Sequence, residues 1–214
     1  MRAVDRREEI KRAQGETFES AWREGDPWDL ETSALDQESY ARQLALLGDR
    51  RYERALEMGC AAGAFTRRLA PLADRILAVD VAPSAIERAR QEALANVEFR
   101  VGDVMELDPV LEGPWDLVIM SETVYYLGWL YTFFEIGWLA RQLLEATRPG
   151  GRFLMANTVE SDSHSSLMQP WLIDTYRDLF ANVGYTLEAQ EKFRSEKGGA
   201  EFETGIWLFE KPSS

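Results

Sequence analysis

Residues 55–66 read Ala55-Leu56-Glu57-Met58-Gly59-Cys60-Ala61-Ala62-Gly63-Ala64-Phe65-Thr66, and residues 76–81 read Ile76-Leu77-Ala78-Val79-Asp80-Val81. The first stretch is an apolar strand pattern, a turn with two glycines and the start of a helix. The second is a continuous apolar run, as expected for a strand covered on both faces, and it carries an acid near its end. A strand, a glycine turn, a helix and a second strand ending in an acid form the layout that grips a nucleoside at the edge of a parallel sheet. The glycines narrow the choice of nucleoside. A dinucleotide lays its pyrophosphate on the turn and needs a bare middle position, where this chain has Ala61. Only Gly59 and Gly63 remain, which suits a ligand without phosphate, such as a sulfonium nucleoside. Glu57, one turn earlier, repels phosphate and tolerates a cation. Two such glycines also occur in turns that merely pack a helix on a sheet. Asp80 favours binding, because an acid at the end of the second strand accepts both ribose hydroxyls.

The chain has 214 residues, 45% hydrophobic and 11% aromatic, enough for one domain with a substantial core. We therefore expect a single domain over 1–214, with 1–50 a helical cap segment over the cofactor site. A formal charge of -13 argues against a nucleic-acid partner, whose phosphates need a basic surface. One cysteine and one histidine leave no disulfide framework and no histidine metal site. The expectation is no metal, with Cys60 a small packed side chain. The N-terminal residues mix charges without an apolar run, which predicts neither signal peptide nor membrane span and a cytoplasmic protein.

Along the chain, Tyr40, Leu44 and Leu47 mark the apolar face of a helix before the first strand. Trp28, in the loop ahead of it, reads as either a lid aromatic or a core anchor. Pro83 starts a helix carrying Ile86, Ala89 and Ala93 inward, and Val97, Phe99 and Val101 alternate as a third strand. Asp116 to Met120 is a fourth. A long apolar helix is expected from about Trp129 to Thr147, stopped by Arg148-Pro149-Gly150-Gly151 before a fifth strand. Its aromatics Trp129, Tyr131, Phe133, Phe134 and Trp138 read as mostly core, with a share for the acceptor pocket or a dimer surface. A polar loop over 160–169 precedes a helix with Leu172, Tyr176, Leu179 and Val183 inward. Two strands around Lys197-Gly198-Gly199 close the chain. The fold class is α/β: a Rossmann-like, doubly wound, seven-stranded, mostly parallel sheet with an antiparallel last strand.

Four motifs in this order, the E-x-G-x-x-x-G turn, Asp80, Gly102-Asp103 and the Pro-Gly-Gly turn, resemble those of class I S-adenosylmethionine-dependent methyltransferases over nearly the whole chain. Within them, LEMGCAAGAFTRRLAP, VDVAPSAIERA, WDLVIMSETVYYL and the upstream DPW resemble the NodS-like N-methyltransferases, which methylate an amino sugar of a chitooligosaccharide signal. The resemblance implies S-adenosyl-L-methionine as cofactor, S-adenosyl-L-homocysteine as product and a small-molecule acceptor, in a monomer or homodimer. It implies cofactor contacts by Trp28, Glu57, Gly59, Ala61, Gly63, Phe65, Asp80, Val81, Asp103, Val104 and Ser121. Asp80 would bind the ribose, Val81 cover the adenine and Asp103 accept from its amine, although Asp103 also reads as a plain turn acid. Ser39 stands before Tyr40 where the family commonly has lysine.

Methyl transfer from a sulfonium is an in-line displacement that positioning alone accelerates strongly. An amine acceptor must also lose a proton. Glu122, after the fourth strand, is the candidate to orient the amine and take that proton; it reads equally as a helix-start acid or a cofactor orienter. His164 is the rival base. Tyr125 and Tyr126 are candidate walls for the substrate, or helix-packing aromatics. O-methylation of another small metabolite and a non-catalytic S-adenosylmethionine-binding protein are the alternatives.

Overall fold

A computed structural model of the protein describes residues 3–161 and 168–213, with side chains from residue 8 onward. Two helices, α1 (Ala3–Glu24) and α2 (Ala34–Leu47), precede the sheet. Ser33 caps α2 by accepting the Asp36 amide, and the acid at that position suits the positive end of the helix. The strands β1 (Tyr52–Met58) and β2 (Ala73–Asp80) follow, joined by the glycine turn and α3 (Ala64–Leu69). Pro71 ends α3 in a 3-10 turn over Ala70–Leu72. Helix α4 (Pro83–Arg90) leads to β3 (Val97–Val101), and the short α5 (Pro109–Glu112) to β4 (Trp115–Ser121). Then come α6 (Val124–Leu130), α7 (Phe133–Ala146), β5 (Thr147–Ser161), α8 (Pro170–Val183), β6 (Thr186–Lys197) and β7 (Ala200–Glu210).

The seven strands lie in the order β3-β2-β1-β4-β5-β7-β6. Strands β1 to β5 pair in parallel, and β7 runs antiparallel between β5 and β6. Strand order reverses between β1 and β4, the place where an open α/β sheet leaves a crevice at its carboxyl edge. Each central strand feeds both faces. Leu56, Met58, Val118, Met120, Phe153 and Met155 pack toward α6, α7 and α8. Ala55, Ile76, Ala78, Ile119, Leu154 and Ala156 pack on the other face with Leu47 and Phe65. This two-sided burial explains the unbroken apolar runs.

The structure departs from the sequence reading at five places. The helix expected from Trp129 to Thr147 is two helices, because Thr132 accepts the Glu135 amide while the Glu135 carboxylate accepts the Thr132 amide, a capping box that starts α7 afresh. Of its aromatics only Tyr131 is half-buried; Trp129, Phe133, Phe134 and Trp138 are exposed, so the expectation of a core role fails. Arg148-Pro149-Gly150-Gly151 lies inside β5, in an irregularity where Thr147 pairs with Trp115 and Arg152 with Leu117. The chain leaves α4 before Ala93, which is exposed with φ 49. Helix α8 turns Tyr176, Leu172, Leu179 and Val183 to the core as expected, but its most buried positions include Ile173 and Phe180, which the expected face left out. Of the expected loop over 160–169, Glu160 and Ser161 belong to β5.

Candidate active site

A cavity of about 330 Å³ opens at the carboxyl edge of the sheet over the β1–β4 switch point, within the range of small-ligand sites. Trp28, Glu57, Gly59, Ala61 and Phe65 line it from the first half of the chain, and Asp80, Val81, Asp103, Val104 and Ser121 from the strand ends that follow. Glu122, Tyr125 and Tyr126 also face it. Gly63 is not among the lining residues. A Cβ there would meet Phe99 Cζ at 3.2 Å and Ala89 Cβ at 3.3 Å, so this glycine, with φ 83, admits close helix-to-strand packing. His164 lies outside the described residues.

The glycine turn is tied to the second strand by Asp80. One carboxylate oxygen accepts the Ala61 amide at 2.8 Å and the other accepts the Ala82 amide at 2.9 Å. Burial nevertheless holds the Asp80 carboxyl above its ordinary value, against the amides of Ala82, Ala61 and Val81. Each oxygen retains acceptor capacity beyond its amide. Ala61 takes a left-handed conformation with φ 50, strained for a residue with a side chain. Gly59, at φ 83, is required by a neighbour: a Cβ would sit 2.5 Å from Thr123 Oγ1, whose hydroxyl donates to the Met58 carbonyl at 2.8 Å.

Glu57 is buried on β1, and its Oε2 has no hydrogen-bond partner among the described residues. Burial pushes this carboxyl up to about 8, with the Thr66 hydroxyl beside it opposing the shift and the Asp80 charge adding to it. A buried acid with one oxygen lacking a donor on a cavity wall matches a ligand bearing an ammonium group, which would supply that donor and favour the charged form. The residues present thus fit an S-adenosyl-methionine-type ligand: an acid for its amino group and a second acid at the end of β2 for ribose hydroxyls.

Glu122 follows β4 in a left-handed conformation, φ 53. Its amide donates to the Ala156 carbonyl at 2.7 Å, and its carboxylate accepts the Thr158 amide at 2.9 and 3.1 Å and the Tyr125 hydroxyl at 3.0 Å. The β5–β7 register shifts between Thr158 and Glu160, beside that amide. Burial raises the Glu122 carboxyl to about 7, against these hydrogen bonds and with the Asp36 charge adding. A strained residue whose carboxylate is held by two donors at a cavity wall is a functional candidate. Tyr126 packs against Tyr125 at 4.5 Å with the rings tilted by 52°, and meets Phe18 edge-on at 5.1 Å.

Several lining residues escaped the sequence reading. Lys11, Gly15, Phe18 and Trp22 follow one face of α1 at helical spacing, a signal diluted by the charges around them. Lys11 reaches Asp103 at 3.6 Å and Glu106 at 3.2 Å, and Tyr131 donates to Asp103. Asp103 therefore already serves two partners besides the Met105 amide at 2.9 Å. Glu19 accepts from the Ser84 amide at 2.9 Å and hydroxyl at 2.7 Å, fastening α1 to the start of α4. Trp28 packs against Phe18 and Trp22 at 6.0 and 5.7 Å. Ser121 accepts from Gln43 at 3.1 Å.

Comparison with known proteins gives this geometry a context. The family described as Nodulation protein S (NodS) matches residues 14–157. A Nodulation protein S of Rhizobium tropici is 34% identical over 140 residues, 64% of this chain and 57% of the relative. Another from Bradyrhizobium diazoefficiens is 42% identical over 105 residues, 48% of this chain and 49% of the relative. The chain thus spans about half the length of these curated relatives. The crystal structure of the N-methyltransferase NodS from Bradyrhizobium japonicum WM9, in complex with S-adenosyl-L-homocysteine, superposes with a TM-score of 0.77 at 22% identity, covering 92% of this chain and 97% of that one. It shows a shared fold.

Proposed function

Because this chain belongs to the Nodulation protein S (NodS) family, we propose that it is an S-adenosyl-L-methionine-dependent methyltransferase acting on the amine of a small acceptor, an amino sugar or glycan-like amine. The observation that carries the reading is the buried, unpartnered Glu57 oxygen on the wall of a cavity that also holds Asp80. The name N-methyltransferase borne by a protein of the same fold supports nitrogen as the methylated atom.

When bound, the cofactor supplies an electrophilic methyl group on a sulfonium. The chain's own residues do the rest. Glu57 neutralises the amino group of that ligand and Asp80 accepts from its ribose hydroxyls, while α1 and Trp28 exclude water from one side. Glu122 accepts a hydrogen bond from the acceptor's nitrogen and takes the proton that nitrogen loses when its new bond to carbon forms. Thr158 and Tyr125 hold the carboxylate in place for this. Tyr126 and Phe18 give the acceptor an aromatic wall. In this reading residues 1–50 form the cap of a single domain.

The test is transfer of a labelled methyl group from S-adenosyl-L-methionine to a panel of amino sugars, set against their N-acetylated and hydroxyl counterparts. Label on the free amines alone supports the reading. Label on hydroxyl compounds alone overturns nitrogen as the acceptor atom.

A further inference from the structure

Behind the cavity wall lies a polar group that the chemistry above does not use. Gln43 of α2 is fully buried and is not among the lining residues. Its Nε2 donates to Ser39 Oγ and to Ser121 Oγ, each at 3.1 Å. Ser39 is buried one turn earlier on the same helix, whereas Ser121 ends β4 on the cavity wall. The other end of the Gln43 amide, Oε1, is buried without a partner among the described residues. Leaving a buried acceptor unsatisfied costs stability, and an apolar side chain of similar length would pack α2 on the sheet without that cost.

What the glutamine does hold is the Ser121 hydroxyl. Its N–H occupies a lone pair of Oγ, and among the described residues the hydroxyl hydrogen has no acceptor. The serine backbone is fixed as well, because its carbonyl accepts the Thr123 hydroxyl at 3.0 Å. Ser121 is thus left as a donor on the cavity wall. Its position relative to Glu57 follows from the strand register. Glu57 of β1 pairs with Ile119 of β4, and Ser121 comes two residues later, so both side chains project from neighbouring strands to the face that α2 covers. Strand spacing and rise put their α-carbons about 8 Å apart. An α-amino acid carries an ammonium and a carboxylate on one carbon, and a separation of that order lets one residue meet each.

We propose that Gln43 is a positioning residue that holds the Ser121 hydroxyl as a donor for the carboxylate at the amino-acid end of the ligand, opposite the ammonium that Glu57 accepts from. This rests on the reading that the cavity takes S-adenosyl-L-methionine. A serine with a free lone pair could turn its hydrogen away from the ligand and accept instead. With Gln43 donating to it, the hydroxyl presents its hydrogen to the cavity, and Glu57 and Ser121 together recognise the two charges of one α-amino acid group.

The experiment is calorimetric titration of the full chain with S-adenosyl-L-homocysteine and with its decarboxylated analogue, which keeps the nucleoside, the thioether and the ammonium. Ser121→Ala should weaken binding of S-adenosyl-L-homocysteine about tenfold or more and leave that of the analogue nearly unchanged. Gln43→Met should weaken the first by a smaller factor, again sparing the analogue. The double variant should bind no more weakly than Ser121→Ala, because the glutamine acts through the serine. Gln43→Asn, whose shorter amide withdraws the donor, replaces Gln43→Met where thermal melting shows the latter unfolded. Unchanged affinity in Ser121→Ala, equal losses for the two compounds, or additive losses in the double variant overturn the inference while the cofactor reading stands. A parent protein that binds neither compound overturns both.

Discussion

The Glu122 carboxylate accepts the Thr158 backbone amide through both oxygens, at 2.9 and 3.1 Å. Two strand ends, β4 and β5, therefore fix one acid at the cavity wall, and its left-handed backbone is the cost of that placement.

Replacing Glu122 by Gln keeps the shape and removes the proton acceptor. Turnover of an amine acceptor should fall about a hundredfold or more while cofactor affinity stays near the parent's. Because the carboxyl sits at about 7, kcat/KM of the parent should rise with pH through neutrality, and this limb should disappear in the variant. Parental turnover in Glu122→Gln would remove it from the mechanism.

Glu57 predicts how stability depends on pH. Its folded-state value, raised by burial to about 8, exceeds the ordinary carboxylate value, so its protonated form favours the fold. That contribution is complete below the ordinary value and declines as pH rises until about 8. Thermal melting of the ligand-free protein should show a falling Tm from pH 5 to 8, with a shallower fall in Glu57→Gln. Equal slopes would mean that Glu57 is ionised in the empty cavity.

Gly59 is constrained by Thr123 as much as by any ligand. Gly59→Ala sets a Cβ against Thr123 Oγ1 in a left-handed conformation and should destabilise by roughly 2–4 kcal/mol. Thr123→Ala in the same chain should recover part of the loss in denaturant unfolding. No recovery would place the defect in the backbone alone.

Much of the frame was legible because it rests on local patterns. The run 76–81 with its acid, the glycine turn and the Pro83 helix start each carry their own signal, and together they locate the cavity. The break between α6 and α7 was hidden by an apolar run with no change of period, although Thr132-x-x-Glu135 spells a capping box. The part played by α1 was harder still, because Phe18 and Trp22 gain meaning only once the helix lies across the strand ends. Gln43 and Ser121 sit 78 positions apart, and no local pattern joins such a pair. Gly59 and Gly63 looked equivalent in sequence, yet one lines the cavity and the other packs a helix.

The most direct measurement is calorimetric titration of the protein with S-adenosyl-L-homocysteine, with NAD as the competing dinucleotide and Asp80→Ala as the variant. Saturable binding in roughly the micromolar range, without competition by NAD, is expected of this cavity. Affinity should be at least tenfold weaker in Asp80→Ala, as loss of one charge-assisted hydrogen bond worth about 1.5–3 kcal/mol implies. NAD binding as tight as that of S-adenosyl-L-homocysteine, or unchanged affinity in a folded Asp80→Ala, would contradict a sulfonium-nucleoside site here.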